Sequence, residues 1–279
     1  MKQSIGYISF LAFALFRSST ILAQDHSVIT HCYIPETIEH DRIEYGVMLP
    51  PSYKNTGQSY PVIYHLHGLN GHYSDWKSQS VAEFYTGLFL NGTIPECILV
   101  FPDGEEGFWF NHYDGDPLLD KELVEYLIPH VDSLYSVNTD NRLIMGWSGG
   151  GAGAVTIFSK HPKLFEASIS LDGSIMSWEE FQHFQGDKPD IVNNSDYYYQ
   201  NASPNKWVVT NTSIIAEKQD TAFFLAAAFL AKHHQNFLSI LKEQQIPFIY
   251  TELDCIHEFG CVFSEISDDL ISFLKMILE

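Results

Sequence analysis

An α/β fold, with a mainly parallel sheet and helices on both of its faces, is what this 279-residue sequence predicts, and three observations carry the prediction. Short apolar, β-branched runs recur along the chain, each followed by a turn signal. Helical patterns lie between most of them. The most glycine-rich turn, "GWSGGGAG" at 146–153, joins one such strand directly to one such helix. Strands that alternate with helices pair in parallel, because each crossover helix returns the chain to the same end of the sheet.

The predicted strands are "RIEYGVML" (42–49), "PVIYHLHG" (61–68), "CILVFPDG" (97–104), "RLIMGW" (142–147), "EASISLDG" (166–173), "NTSIIAE" (211–217) and "PFIYTEL" (247–253). Helical periodicity is clearest over 118–135, 151–162, 221–244 and 264–278. Two stretches break the alternation, the aromatic loop "EEGFWFNHYDGDP" (105–117) and a long irregular segment over 174–207. Both follow strands, and ligands of such sheets bind outside the carboxyl ends of the strands, so both are expected near the site. Their aromatic residues, Trp109 and Phe110 in the first and the "DYYY" run ending at Tyr199 in the second, are candidates to stack on sugar or phenolic rings. Burial in the core is the alternative.

Residues 1–24 read differently from the rest. Lys2, the apolar run "IGYISFLAFALF" and the exit "RSSTILAQ" have the form of a secretory signal peptide cleaved near Ala23 or Gln24, with a membrane anchor as the alternative. Residues 25–279 are then expected to be one domain, exported to the cell exterior or the periplasm. With 15 basic and 35 acidic residues the net charge is −20, and removing Lys2 and Arg17 with the leader makes it more negative. Such a surface repels phosphate backbones and anionic lipid, which argues against nucleic acid and membrane partners. An oxidising compartment also lets Cys32, Cys97, Cys255 and Cys261 pair. None of them has zinc-knuckle spacing. His65 and His67 of "HLHG" lack the further ligands of a metallohydrolase, so no metal is expected.

Gly146-Trp147-Ser148-Gly149-Gly150 matches G-x-S-x-G, in which a serine sits on a sharp turn between strand and helix. A side chain at 146 or 150 would collide with the adjacent strand or helix, so both must be glycine. The rival is a phosphate cradle. Residues 149–154 also fit G-x-G-x-x-G/A, and the following strand ends in Asp172, near the spacing at which a dinucleotide-binding unit holds a ribose. Against it stand export, and the more than one hundred residues before a turn that usually opens such a domain.

A serine hydroxyl needs a base, and the base needs a carboxylate to hold its tautomer. In the order Ser, Asp or Glu, His, with each on a loop after a strand, the sequence offers Asp220 after "SIIAE" and His257 after "PFIYTEL". Glu217 and Asp254 are alternative carboxylates. The oxyanion requires two backbone N–H groups, one from Gly149 behind the nucleophile and one from Leu69 behind His67-Gly68.

With these residues in place the chain resembles the D-type esterases of the α/β-hydrolases, a group with feruloyl and acetylxylan esterases, enterochelin esterases, S-formylglutathione hydrolase and mycolyltransferases among its members. "GVMLPPSY", "PVIYHLHGLNGHYSDW" and "WSGGGAGAVTIFSKHPKLF" carry the resemblance. It implies an α/β-hydrolase fold with Ser148 as nucleophile, Asp220 as acid, His257 as base and Leu69 and Gly149 as oxyanion donors, and no cofactor. The expected activity is hydrolysis of a carboxylic ester through an acyl-enzyme. A feruloyl or acetyl ester of plant polysaccharide is the favoured substrate, and short-chain acyl esters, as small-molecule substrates, come second. Acyl transfer and a non-catalytic binding protein on the same fold are the alternatives. Gly149 stands where the group often carries methionine, and "AEKQD" replaces a glycine-bearing approach to the acid. Cys255 and Cys261, with five residues between them that include His257, are a candidate disulfide clamp on the base; free thiols and a Cys32–Cys97 pair are the alternatives.

Overall fold

The computed structural model describes residues 28–279 apart from 39, 54–56, 105–107, 186–190 and 219–220. The expected signal peptide over 1–24 lies outside the described residues. One eight-stranded sheet runs in the order β1-β2-β4-β3-β5-β6-β7-β8. Its strands are β1 (Thr30–Ile34), β2 (Ile43–Met48), β3 (Tyr60–Leu66), β4 (Ile98–Pro102), β5 (Val137–Trp147), β6 (Ala167–Leu171), β7 (Phe223–Ala227) and β8 (Phe248–Glu252). The pairs β1·β2 and β2·β4 are antiparallel, and every pair from β4 to β8 is parallel. The arrangement is that of the α/β-hydrolase fold, as the alternation of elements predicts.

The central strands are apolar on both faces because both are covered. Val62, Tyr64 and Leu66 of β3 point into one core with Phe158, Phe223 and Phe237, and Ile63 points into the other with Leu99, Phe101 and Phe273. The first core is covered by α2 (Gly149–Lys160) and α4 (Ala231–Glu243), the second by α1 (Val81–Leu90) and α5 (Phe259–Leu278). Helix α3 (Trp178–Gln185) lies within the long irregular segment. In α5 the buried positions Phe259, Val262, Phe263, Ile266, Leu270, Phe273 and Leu274 recur at three and four residues, the stripe that predicts this helix.

Two expectations fail together in the β6–α4 region. The run expected as a strand over 211–217 contains a short helix, Thr212–Ala216. The next strand is β7, inside the segment whose pattern predicts a helix over 221–244. All five β7 residues are buried between β6 and β8. A strand that is apolar on both faces has no period of two, so in the sequence "FFLAAAF" is indistinguishable from a buried helix. The edge strand β1, largely exposed, is also absent from the sequence reading.

His65 of β3 is fully buried against Trp76, Tyr85 and Phe101, and neither ring nitrogen has a hydrogen-bond partner. Burial pushes its pKa down to about 3. The unfolded chain takes up a proton at this position below about pH 6.5 and the folded chain does not, so His65 lowers stability as the pH falls from there toward its folded value. His65→Phe is expected to remove on the order of 3 kcal/mol of the stability lost between about pH 6.5 and pH 4. Urea unfolding of both proteins across that interval measures it, and parallel pH profiles would refute it.

Candidate active site

Strand β5 ends at Trp147, α2 begins at Gly149, and Ser148 between them is held at φ 55° and ψ −117°. A positive φ is costly for a residue with a Cβ and persists only where the surroundings enforce it. A Cβ on Gly146 would run into the carbonyl of Gly150, and one on Gly150 into the carbonyls of Leu66 and His67. Both glycines are therefore sterically required, one by the helix and one by the neighbouring strand. The turn lifts Ser148 out of the sheet, with its N–H bonded to Leu171 O at 3.0 Å.

His257, on the loop after β8, has its Nε2 2.9 Å from Ser148 Oγ and its Nδ1 2.6 Å from Asp172 Oδ2. Asp172 follows the last residue of β6, has φ 42° and is fully buried. Its second oxygen accepts the backbone N–H groups of Ala228 at 2.8 Å and Leu230 at 3.0 Å, from the loop after β7. Burial pushes the Asp172 carboxyl up, but the bonds from His257 and from those two amides outweigh it and hold the group below the usual carboxylate range. The carboxylate on His257 is thus neither Asp220 nor an alternative named from the sequence. Asp220 lies outside the described residues; it precedes β7 in the chain, whereas the site gathers at carboxyl ends of strands. Glu217 is exposed at the end of the short helix. Asp172 itself figures in the sequence reading only as the ribose partner of a dinucleotide, and here that carboxylate is engaged by the imidazole.

The ring of Trp147 stacks on the ring of His257 at 4.6 Å and 16°. The stack fixes the plane of the imidazole and so its orientation toward Ser148 and Asp172. On the other side Glu258 caps α5, accepting from the N–H groups of Gly260 and Cys261. Cys255 and Cys261 form a disulfide with their Cα atoms 6.0 Å apart, which closes a loop around His257. Cys32 and Cys97 are free.

Leu69 and Gly149 meet beside Ser148: a Cβ on Gly149 would sit 3.4 Å from Leu69 N. Gly149 is the first residue of α2, where an N–H has no partner within the helix and is available to an anion. All three residues line a cleft of about 1080 Å³. Phe108, Met176, Phe184, Phe229 and Phe259 make its walls apolar, and Glu180, His183 and Lys232 add polar groups. Trp109 and Phe110, candidates for ring stacking, are instead buried, and so is Tyr198. Tyr197 donates to the carbonyls of Asn111 and His112 and so ties the two irregular segments together. The exposed aromatic residues at the cleft are Phe184 and Phe229, neither visible as such in the sequence, because exposure is a property of the packed loops.

Residues 37–224 match the Esterase family model. The esterase MT1326 of Mycobacterium tuberculosis is 28% identical over 134 residues, which are 46% of this chain and 28% of that protein. The protein named probable feruloyl esterase C of Aspergillus terreus is 28% identical over 134 residues, 48% of this chain and 47% of its own length. The chain therefore spans about half the length, or less, of these curated relatives. Among solved structures, a ferulic acid esterase superposes with a TM-score of 0.74 at 20% identity, over 90% of this chain and 98% of its own. That superposition speaks for the fold; the family match covers well over half of the sequence, and the chain belongs to the Esterase family.

Proposed function

We propose that this chain is an exported serine hydrolase of carboxylic esters, with Ser148 as nucleophile, His257 as base and Asp172, in place of Asp220, as the acid that orients it. The observation that carries the proposal is the unbroken hydrogen-bonded series Ser148–His257–Asp172 at the wall of a large apolar cleft. Nε2 accepts the Ser148 proton as Oγ attacks the ester carbonyl, and the N–H groups of Leu69 and Gly149 receive the oxyanion. The imidazolium then protonates the leaving alcohol. Water, deprotonated by the same nitrogen, releases the acid from the acyl-enzyme. Family membership supports ester chemistry. A carboxylate bonded to His257 supports catalysis over a non-catalytic binding protein on the same fold.

The favoured substrate is a feruloyl or acetyl ester of plant polysaccharide. Phe184 and Phe229 offer exposed rings beside the reacting groups, and one curated relative carries the feruloyl esterase name. Export of residues 25–279 after removal of 1–24 is part of the same reading. The Cys255–Cys261 disulfide supports an oxidising destination, since such bonds rarely persist in a reducing cytosol.

The test is covalent trapping. A fluorophosphonate is expected to label one site, on the peptide containing Ser148, and to abolish hydrolysis of a chromogenic acetate ester. Label elsewhere, or activity that survives full labelling, would overturn the assignment. Rates on feruloyl-sugar, acetyl-sugar and butyryl esters then rank substrates, and a preference for butyryl over both others would remove the polysaccharide reading.

The disulfide carries its own prediction. Opening so short a loop by Cys255→Ser with Cys261→Ser is expected to cost about 2 kcal/mol of stability on the chain-entropy model. Because the loop carries His257, kcat should also fall, by about tenfold, with KM little changed. Thermal melts and steady-state kinetics of the double variant check both parts; a rate equal to wild type would deny the loop any role in holding the base.

A further inference from the structure

We infer that His67 is a positioning residue for the oxyanion donor Leu69, acting through the peptide unit that joins Gly68 to Leu69. The inference rests on the hydrolase reading above and concerns a side chain that bonds to none of Ser148, His257 and Asp172 and does not line the cleft. His67 follows the last residue of β3 and is 2% exposed. Both of its ring nitrogens are engaged. The N–H of Gly104 donates to Nε2 at 2.8 Å, which makes that nitrogen the acceptor. The proton of the neutral ring must then be on Nδ1, and Nδ1–H donates to Gly68 O at 2.8 Å. Asp103 Oδ1 is 3.8 Å from Nε2, beyond hydrogen-bond range, and its other oxygen pairs with His72 at 2.9 Å.

The carbonyl of Gly68 and the N–H of Leu69 belong to one planar trans unit and point in opposite directions. Whatever grips the carbonyl therefore aims the N–H. Two donors grip it, His67 Nδ1–H and the N–H of Gly71 at 3.0 Å, so Leu69 N–H is directed away from them, to the side where Gly149 and Ser148 lie. Turning the peptide over would break both bonds at once. The ring is itself held in place. Trp109 packs edge-on to it at 5.0 Å and donates its indole N–H to His67 O at 2.9 Å. A Cβ on Gly71 would come within 2.8 Å of both Gly68 O and His67 Nδ1, so only glycine lets the loop fold this closely over the imidazole. An oxyanion donor acts in the transition state and not on the bound ester, so losing its aim lowers kcat and leaves KM nearly unchanged.

Two near-isosteric variants separate the two bonds. His67→Asn keeps an amide N–H at the place of Nδ1–H and gives up the acceptor for Gly104. His67→Gln keeps an acceptor at the place of Nε2 and gives up the donor to Gly68. Each loses one buried hydrogen bond, so a merely structural role would damage both alike. The expected result on a chromogenic acetate ester is kcat within about fivefold of wild type for His67→Asn and about 10²-fold lower for His67→Gln, with KM within about twofold in both. Affinity for a trifluoromethyl ketone, whose adduct carries the oxyanion, should fall in the same ratio. Equal rates for the two variants, the reverse order, or a loss confined to KM would overturn the inference. Should neither variant fold, nitrogen-15 spectra of the native histidines decide: His67 must be the neutral Nδ1–H tautomer, and the Nε2–H tautomer or an imidazolium would refute it. The two readings fail differently. Full activity in Ser148→Ala would sink the hydrolase, whereas an inactive Ser148→Ala beside a fully active His67→Gln would sink only the role of His67.

Discussion

Ser148→Ala and His257→Ala are each expected to lower kcat on a chromogenic acetate ester by about 10⁵- to 10⁶-fold, with KM within a few-fold of wild type. Oγ and Nε2 stand 2.9 Å apart, close enough to exchange a proton without rearrangement. On the proposed mechanism they act as one unit, so the double variant should be little slower than either single one. On the same mechanism the residual rate should be what Leu69 and Gly149 contribute with the cleft alone, about 10³-fold over water. Active-site titration must accompany the assay, because contamination with wild-type enzyme sets the lowest rate that can be read. A Ser148→Ala protein as fast as wild type would end the hydrolase reading.

Asp172→Asn is expected to lower kcat by about 10⁴-fold, whereas Asp220→Asn and Glu217→Gln should stay within about twofold of wild type. The amide can still accept from Ala228 and Leu230 through its oxygen, which leaves its NH₂ facing His257 Nδ1. That forces the imidazole proton onto Nε2, which can then no longer accept from Ser148. The fold should survive, since shape is kept, two of the three bonds are unchanged and the third is only reversed in direction. Asp172 also contributes to stability: with its folded pKa lowered, the contribution is fully present above about pH 4 and is lost as the pH falls through the folded value. A larger loss in Asp220→Asn than in Asp172→Asn would return the triad acid to the position expected from the sequence.

The reason the sequence points to Asp220 lies one strand away. A carboxylate serves this site only from the carboxyl end of a strand, and "SIIAE" followed by "KQD" imitates such an end. The strand is in fact Phe223–Ala227, and the loop beyond it supplies no acid, only the N–H groups of Ala228 and Leu230. Those amides hold a carboxylate borrowed from β6, the strand between β5 and β7. "ISLDG" did hold a usable signal, an acid placed directly behind the strand after the elbow. Reading it requires knowing that the next strand end has no acid, which depends on calling "FFLAAA" a strand, and a doubly buried run of that length has no distinguishing period.

By itself the sequence determined what depends on neighbours along the chain. The alternation of strands and helices, the glycines that permit the turn at Ser148, the His67-Gly68-Leu69 segment, the histidine after the last strand and the short cysteine spacing are all local, and each follows from backbone sterics or chain length. The tertiary structure alone decided which groups meet across strands. Asp172 reaches His257 over 85 residues of chain, Trp147 lies on the imidazole because the loop after β8 reaches back past the ends of β7 and β6 to the end of β5, and Trp109 wedges behind His67. Such contacts are set by sheet order and by which loop turns inward, and no residue carries that information in its immediate sequence.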